Sequence, residues 1–423
     1  MPPKKKAAKP AKDGGMRGKF VEATEKLSPQ ERADFVLRYI EGMNPNTRIR
    51  RASDVWQPYH IRRPTGITSL DIRTGGGWAA GTINQIFGKD ATGKNLVVDH
   101  TIAQIQEHYG EDAGICIASF GQPYQKDFGK KNGVKVGYAP AEVEAMRRML
   151  AADGDELTPD MEAWLREEAG LFALIGLTDS DAAFAAPAES TLTTLIEAIK
   201  TGMFQLVVLD ETNVGESKYA AEAELGADEK VASFATLMTR FVKKFWNAIM
   251  YDLSGNPNQT TVIEILEARV KIGGFSPTGE ALEQGGGMAL RHAKSVDLHM
   301  LGGAPLRIPE VDESIGKEMK WRVSKGKVGC HEGGSGMFRF NYIPLPDGSP
   351  YGIDLTGDLI DESTRRGILT RSGAWYSWGD ERIGCGLTAA SAWLRANPDR
   401  YATLRTSCLK MAGVSRTYRD DPE

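Results

Sequence analysis

Cysteine and histidine are scarce in this chain, with four and six in 423 residues. Cys116, Cys330, Cys385 and Cys408 are scattered and never spaced C-x-x-C. That argues against a zinc site or a disulfide framework and suits a reducing compartment, so a cytoplasmic protein is expected. No apolar run approaches the roughly 20 residues of a membrane span, so no membrane partner is expected. The opening stretch MPPKKKAAKPAKDGG lacks the apolar core of a secretory signal. A large excess of basic charge is also missing. At a net charge of −4 the chain is not a general polyanion binder, and contact with nucleic acid must come from local basic surfaces. What remains is an ordinary globular composition, 41% hydrophobic and 26% charged, long enough for two or more domains.

The chain is organised around GTINQIFGKDATGKNLVVD, residues 81–99. Apolar, β-branched residues predict a strand, Gly88, Lys89, Asp90, Ala91, Thr92, Gly93 and Lys94 a glycine-bounded loop, and Leu96 onward a helix. This is the strand–loop–helix context that a phosphate-binding loop requires. Loop N–H groups converge on phosphate oxygens, the helix N-terminus adds positive partial charge, and Lys94 reaches the terminal phosphates. ATP with Mg²⁺ is the expected cofactor pair. Asn95 stands where a hydroxyl would normally bind the metal, but an amide oxygen is also an acceptable donor to a hard cation.

Along the chain, residues 1–27 read as a basic tail. Within 28–60, Ser28 and Glu31 predict a capping box, and Phe35, Val36, Tyr39 and Ile40 form the stripe of a helix suited to docking on another subunit. Alternating strand and helix patterns over 61–325 predict an α/β core with a mostly parallel, twisted sheet. The segment FQLVVLDE is a strand ending in Asp210 and Glu211, the kind of strand end that organises the water shell of Mg²⁺. Residues 140–170 carry two helical patterns. Polar stretches at about 212–230 and 270–288 are long loops of the kind that carry function. A smaller α+β unit is expected over 326–415, with a tail at 416–423.

Taken together, these segments resemble the RecA recombinase family. The likeness is carried by ITSLDIRTGGGWAAGTINQIFGKDATGK, FQLVVLD, ARVKIGG with GGGMALRHAKSVDLHM, KWRVSKGKVG, MFRFNY with YGIDLTGDLID, and GILTRSGAWYSWGDERIGCG with AWLRANP. The resemblance implies a RecA-type core with an N-terminal polymerisation helix. It also implies a helical filament on single-stranded DNA, ATP at the subunit interface, and strand exchange with a homologous duplex. Gly88 to Asn95 then fall on the nucleotide loop, and Asp210 on the Mg²⁺-organising aspartate. Lys325 and Lys327 fall on a lysine pair that reaches a neighbour's ATP. Glu267 stands where the family has a glutamine that senses the γ-phosphate. The two long loops correspond to DNA-binding loops. For the second, the residues themselves make a separate case: Gly273, Gly274, Gly286 and Gly287 allow close backbone approach to phosphates. Arg269, Lys271 and Arg291 supply charge, and Phe275 can stack on a base.

One feature of the family pattern is missing. The strand beside the phosphate loop should end in a glutamate that activates water, but here it ends IASFGQPYQ, with Phe120 or Gly121 at that place. Glu211 is the expected substitute. Two readings are open, a DNA-dependent ATPase and strand-exchange recombinase, or an ATP-switched DNA-coating filament with little or no hydrolysis. A hexameric motor or small-molecule kinase on the same core is disfavoured by the C-terminal segments.

Overall fold

The computed structural model describes residues 27–43, 58–137, 140–153, 170–175, 188–212, 232–249, 258–270, 282–283, 287–307, 313–345 and 347–414, with isolated positions between 156 and 161. Residues 1–57 and 58–423 are separate compact units. In the first, α1 (Pro29–Met43) opens on a reciprocal cap. Ser28 N donates to Glu31 Oε2 at 2.9 Å, and Glu31 N donates to Ser28 Oγ at 3.3 Å, satisfying two otherwise orphaned helix-end donors. Tyr39 and Ile40 are exposed.

The second unit is built on one sheet. Its strands are β1 (Ile83–Gly88), β2 (Gly114–Ser119), β3 (Leu171–Ile175), β4 (Leu206–Asp210), β5 (Thr261–Glu267), β6 (Val296–Gly302), β7 (Gly316–Gly326), β8 (Ser335–Asn341) and β9 (Gly352–Ile353). They lie in the order β9-β8-β7-β6-β1-β5-β4-β2-β3, with Pro305–Leu306 added against β7. From β6 to β3 every pairing is parallel, and β7, β8 and β9 extend the edge antiparallel. A parallel sheet must be covered on both faces, and the alternation of apolar residues shows how. Ile115 and Ile117 of β2 join Val208, Ile263 and the α3 (Lys94–Tyr109) residues Val97, Ile102 and Ile105 in one cluster. Cys116 and Ala118 face the other way. They pack with Val207, Val262, Leu195 and Ile199 of α6 (Ala188–Lys200), and Phe241 and Phe245 of α7 (Ala232–Ala248). This is the α/β architecture expected from the alternating pattern.

Two boundaries differ from expectation. The sequence pattern assigns the strand MFRFNY to a C-terminal unit beginning at 326, but β8 pairs with β7 in the main sheet, and Phe338 and Phe340 belong to the central apolar cluster. The smaller unit instead starts at α9 (Leu355–Arg365). It continues through a three-stranded antiparallel sheet over 369–385, α10 (Gly386–Ala396) and α11 (Pro398–Met411), on a cluster of Leu359, Ile360, Leu369, Leu394 and Leu404 that also takes in Ile72 of the core. It joins the core at α2 (Thr68–Thr74). There Arg73 pairs with Glu362 at 3.1 Å, Arg405 pairs with the fully buried Asp71 at 2.9 Å, and Ser69 N donates to Asp358 Oδ2 at 2.9 Å.

The second difference lies in the stretch 270–288, which reads as structureless. Arg269–Val270 pairs antiparallel with Leu282–Glu283, and α8 (Gly287–Ala293) begins inside the expected loop. Lys271, Gly273, Gly274, Phe275 and Gly286 lie outside the described residues, as do 213–231 of the first loop. Of the two helices expected over 140–170, α5 (Pro140–Asp153) is described, and the second falls largely outside the described residues. No helix among the described residues is long and apolar enough to cross a membrane.

Candidate functional site

The ends of β1, β4 and β5 lie side by side, because β1 pairs with β5 and β5 with β4 in parallel register. The residues just past each strand therefore collect at one edge, the place where ligands bind in parallel α/β sheets. After β1 the chain turns sharply at Gly88. A Cβ there would sit 2.8 Å from Thr92 Oγ1 and closer still to Met300 O, so only glycine fits. Ala91 (φ 52°) and Gly93 (φ 90°) take left-handed conformations that fold the loop back on itself. Thr92 Oγ1 closes it by donating to Lys89 O at 2.8 Å. The loop delivers the chain into α3 with no side-chain cap on its N-terminus, leaving those N–H groups open to a ligand.

Lys94 stands in the first turn of α3. Its Nζ donates to Gly88 O at 3.0 Å and Lys89 O at 2.8 Å, spanning the cradle in which a phosphate would sit. Burial pulls its pKa down, and the carboxylates of Glu267, Asp90, Glu211 and Asp210 oppose that shift. Glu267 ends β5 directly opposite Gly88. Lys317 Nζ also donates to the loop, to Ala91 O at 3.0 Å, so cations and carboxylates are gathered together around it.

Asp210 closes β4 and is almost completely buried, and its Oδ1 has no hydrogen-bond partner among the described residues. Burial first, and the neighbouring Glu211 second, push its carboxyl up to about 7. A cation or its water shell would satisfy that oxygen and stabilise the ionised form. Asn95 is exposed in the same first turn as Lys94. Among the described residues no group of three His, Cys, Asp or Glu could hold a metal alone.

Glu211 comes directly after Asp210 with φ 56°, a left-handed conformation that a non-glycine residue seldom takes. Its carboxylate lies over Gly121, just past the end of β2. Phe120 is 8% exposed and packs in the apolar cluster under α6 and α7, so of the two positions expected to lack the base it is Gly121 that faces the site.

Two groups around this edge are not apparent from the sequence. Asp99, on the buried face of α3, accepts from Tyr124 Oη at 2.9 Å and from Asn132 Nδ2 at 2.8 Å, and burial pushes it up to about 6. Its one signal is an aspartate inside the apolar run LVVDHTI. The second is a buried polar chain across β5, β1 and β6. Thr212 Oγ1 donates to Glu264 Oε1 at 2.6 Å, and Gln85 Nε2 donates to Glu264 Oε2 at 2.6 Å. Lys294 Nζ donates to Gln85 Oε1 at 2.6 Å and pairs with Asp297 at 2.5 Å. Its signal is Glu264 in the apolar strand TVIEILE.

Lys325 and Lys327 are not in this cluster. They donate to Arg291 O and His292 O, the latter at 2.8 Å, and so cap the C-terminal end of α8. Arg291 is exposed on α8, Gly287 is its first residue, and Arg269 lies in the short ribbon before the second loop.

A glycine-bounded loop between a central parallel strand and a helix, with a lysine in the helix's first turn and an aspartate ending a nearby strand, defines a P-loop nucleotide-binding protein. Residues 357–412 match the family described as RecA C-terminal domain. The chain is 28% identical over 361 residues to Protein RecA of Syntrophus aciditrophicus, covering 85% of this chain and 87% of that one. It is 29% identical to the Protein RecA of Cereibacter sphaeroides over 79% of both chains. With the Halalkalibacterium halodurans protein of that name it shares 26% over 86% of this chain and 87% of the other. The chain is thus similar to RecA proteins over most of its length, and its C-terminal segment matches the RecA C-terminal domain.

Proposed function

We propose that this protein is an ATP-dependent recombination and repair protein that forms filaments on single-stranded DNA and exchanges strands with a homologous duplex. The observation that carries the nucleotide part is the cradle of Gly88, Lys89, Asp90, Ala91, Thr92, Gly93 and Lys94, with Lys94 spanning the loop carbonyls opposite the orphaned Asp210 oxygen. Lys94 binds the terminal phosphates, while Asp210 and Asn95 hold the Mg²⁺ shell. Mg²⁺, when bound, neutralises charge developing on the transferred phosphoryl group. Glu211 polarises the attacking water and Glu267 senses the γ-phosphate. Lys325 and Lys327 act on the ATP of a neighbouring subunit, and α1 provides the docking face between subunits. Arg269, Lys271, Gly273, Gly274, Phe275, Gly286, Gly287 and Arg291 contact DNA.

Strand exchange between a circular single strand and a homologous linear duplex tests this directly. Joint molecules should form with ATP and Mg²⁺ and be lost in Lys94→Ala. Because phosphate contacts release counterions, single-strand affinity should fall steeply between about 50 and 200 mM salt. A salt-insensitive protein that forms no joint molecules would refute the reading.

A further inference from the structure

We infer that the carboxylate that activates water in this chain has moved from one strand end to its neighbour, and that Gly121 is the positioning residue that makes this possible. The inference rests on the ATPase reading above and deepens it. The ends of β2 and β4 are adjacent: Ser119 is in register with Asp210, and Phe120 N donates to Asp210 O at 3.1 Å. A side chain on Gly121 and one on Glu211 would therefore compete for the same space. The structure shows this competition resolved in favour of Glu211. A Cβ built on Gly121 falls inside 3.0 Å of Glu211 Oε2, 3.5 Å from its Cδ and 3.7 Å from its Cβ. The Glu211 side chain fills the volume that a residue at 121 would claim.

Glu211 is directed there from both sides. Before it, Asp210 is fixed in the ladder of β4. After it, Thr212 is fully buried and tied to the fully buried Glu264 through a 2.6 Å hydrogen bond. Between these anchors the left-handed φ of 56° turns the Glu211 side chain across its own strand towards β2. The carboxylate stays within electrostatic reach of Lys94 and Asp210, whose protonation it influences. It is thus beside the residues proposed to hold the nucleotide.

In the step this serves, a water oxygen bonds to the γ-phosphorus while the bond from that phosphorus to the β,γ-bridging oxygen breaks. ADP leaves with that oxygen, and the water's proton passes to the Glu211 carboxylate and then to solvent. Gly121 takes no part in the bond changes. It acts by leaving room.

The test is steady-state ATP turnover by the full-length protein on single-stranded DNA, with binding of a fluorescent ATP analogue measured for every variant. Gly121→Ala introduces only a methyl group, on a backbone whose φ is ordinary, against the mobile end of a side chain. The fold should survive while the carboxylate is displaced. Its kcat should fall about 10-fold or more with KM for ATP within about twofold. Glu211→Gln and Glu211→Gly should each lose about 100-fold, the lower range for removing a general base. The decisive variant returns the carboxylate to the other strand: Gly121→Glu combined with Glu211→Gly should regain at least about 10-fold over Glu211→Gly alone. Full turnover by Gly121→Ala, or a double variant no faster than Glu211→Gly, would overturn the inference. So would a wild type that binds ATP and DNA but releases no phosphate, an outcome that leaves the DNA-binding reading standing. Absence of nucleotide binding in the wild type would instead refute the proposed function itself.

Discussion

Asp210→Asn should stabilise the nucleotide-free protein while removing its response to Mg²⁺ and ATP. The carboxyl, ordinarily at 3.8, is pushed up to about 7 in the fold by burial and by Glu211. A carboxyl that holds its proton more tightly when folded contributes stability that is complete below the unfolded pKa and is lost as pH rises through the folded one. The window is therefore pH 3.8 to about 7. At about 1.4 kcal/mol per pH unit, ionising Asp210 inside the fold costs up to roughly 4 kcal/mol at pH 8 and less than about 2 kcal/mol at pH 5. Asparagine has no such cost. Urea unfolding without nucleotide should show the variant more stable than wild type, by a margin that grows from pH 5 to pH 8. Mg²⁺ with ATP should raise the wild-type midpoint increasingly over pH 6 to 8, because the cation favours the ionised carboxylate, and should leave the variant nearly unmoved. A margin independent of pH, or a variant destabilised at pH 8, would refute the placement of Asp210 as a buried, destabilised metal-site carboxylate.

The geometry sets three further outcomes. Gly88→Ala places a methyl group against the Met300 carbonyl and the Thr92 hydroxyl, so the loop must shift, and ATP-analogue binding should weaken at least about 10-fold; unchanged affinity would contradict the cradle. Thr212→Val removes a donor from the fully buried Glu264, which should cost about 1–3 kcal/mol in urea unfolding and lower kcat as Glu211 loses its anchor; a change in stability with no change in kcat would separate the two. Arg405→Ala leaves the fully buried Asp71 without its cationic partner and should cost about 3–5 kcal/mol, with early proteolysis of residues 355–414 as a second readout; native resistance would show that the pair does not hold the smaller unit to the core.

The parts of this molecule that can be read from its sequence are those set by neighbouring residues. The run INQIFG leading into KDATGK announces a strand, a turn and a helix because period, glycine spacing and lysine position all act within a short stretch. Likewise LVVLD announces a buried strand ending in an aspartate. The cap formed by Ser28 and Glu31 is equally local. The features that escape such reading depend on strand order. Nothing in SFGQ or LDET says that Gly121 and Glu211 occupy one space, since they are far apart in the chain and only the pairing of β2 with β4 brings them together. Glu264 is inconspicuous because a single charge in an apolar strand does not announce that Gln85, Lys294 and Thr212 will form one polar chain with it. The boundary at 326 is misplaced for a related reason. Antiparallel strands rich in Phe look alike in a small unit and at the edge of a large sheet, and the choice is made by packing against the central cluster.

Phosphate release by the full-length protein, measured with and without single-stranded DNA while filaments are scored by electron microscopy in the same samples, tests the central claim most directly. DNA-stimulated hydrolysis accompanied by filaments is the predicted result, and it should vanish in Lys94→Ala. Filaments that require ATP yet release almost no phosphate would contradict the catalytic account. The absence of both filaments and DNA binding would contradict the function as a whole.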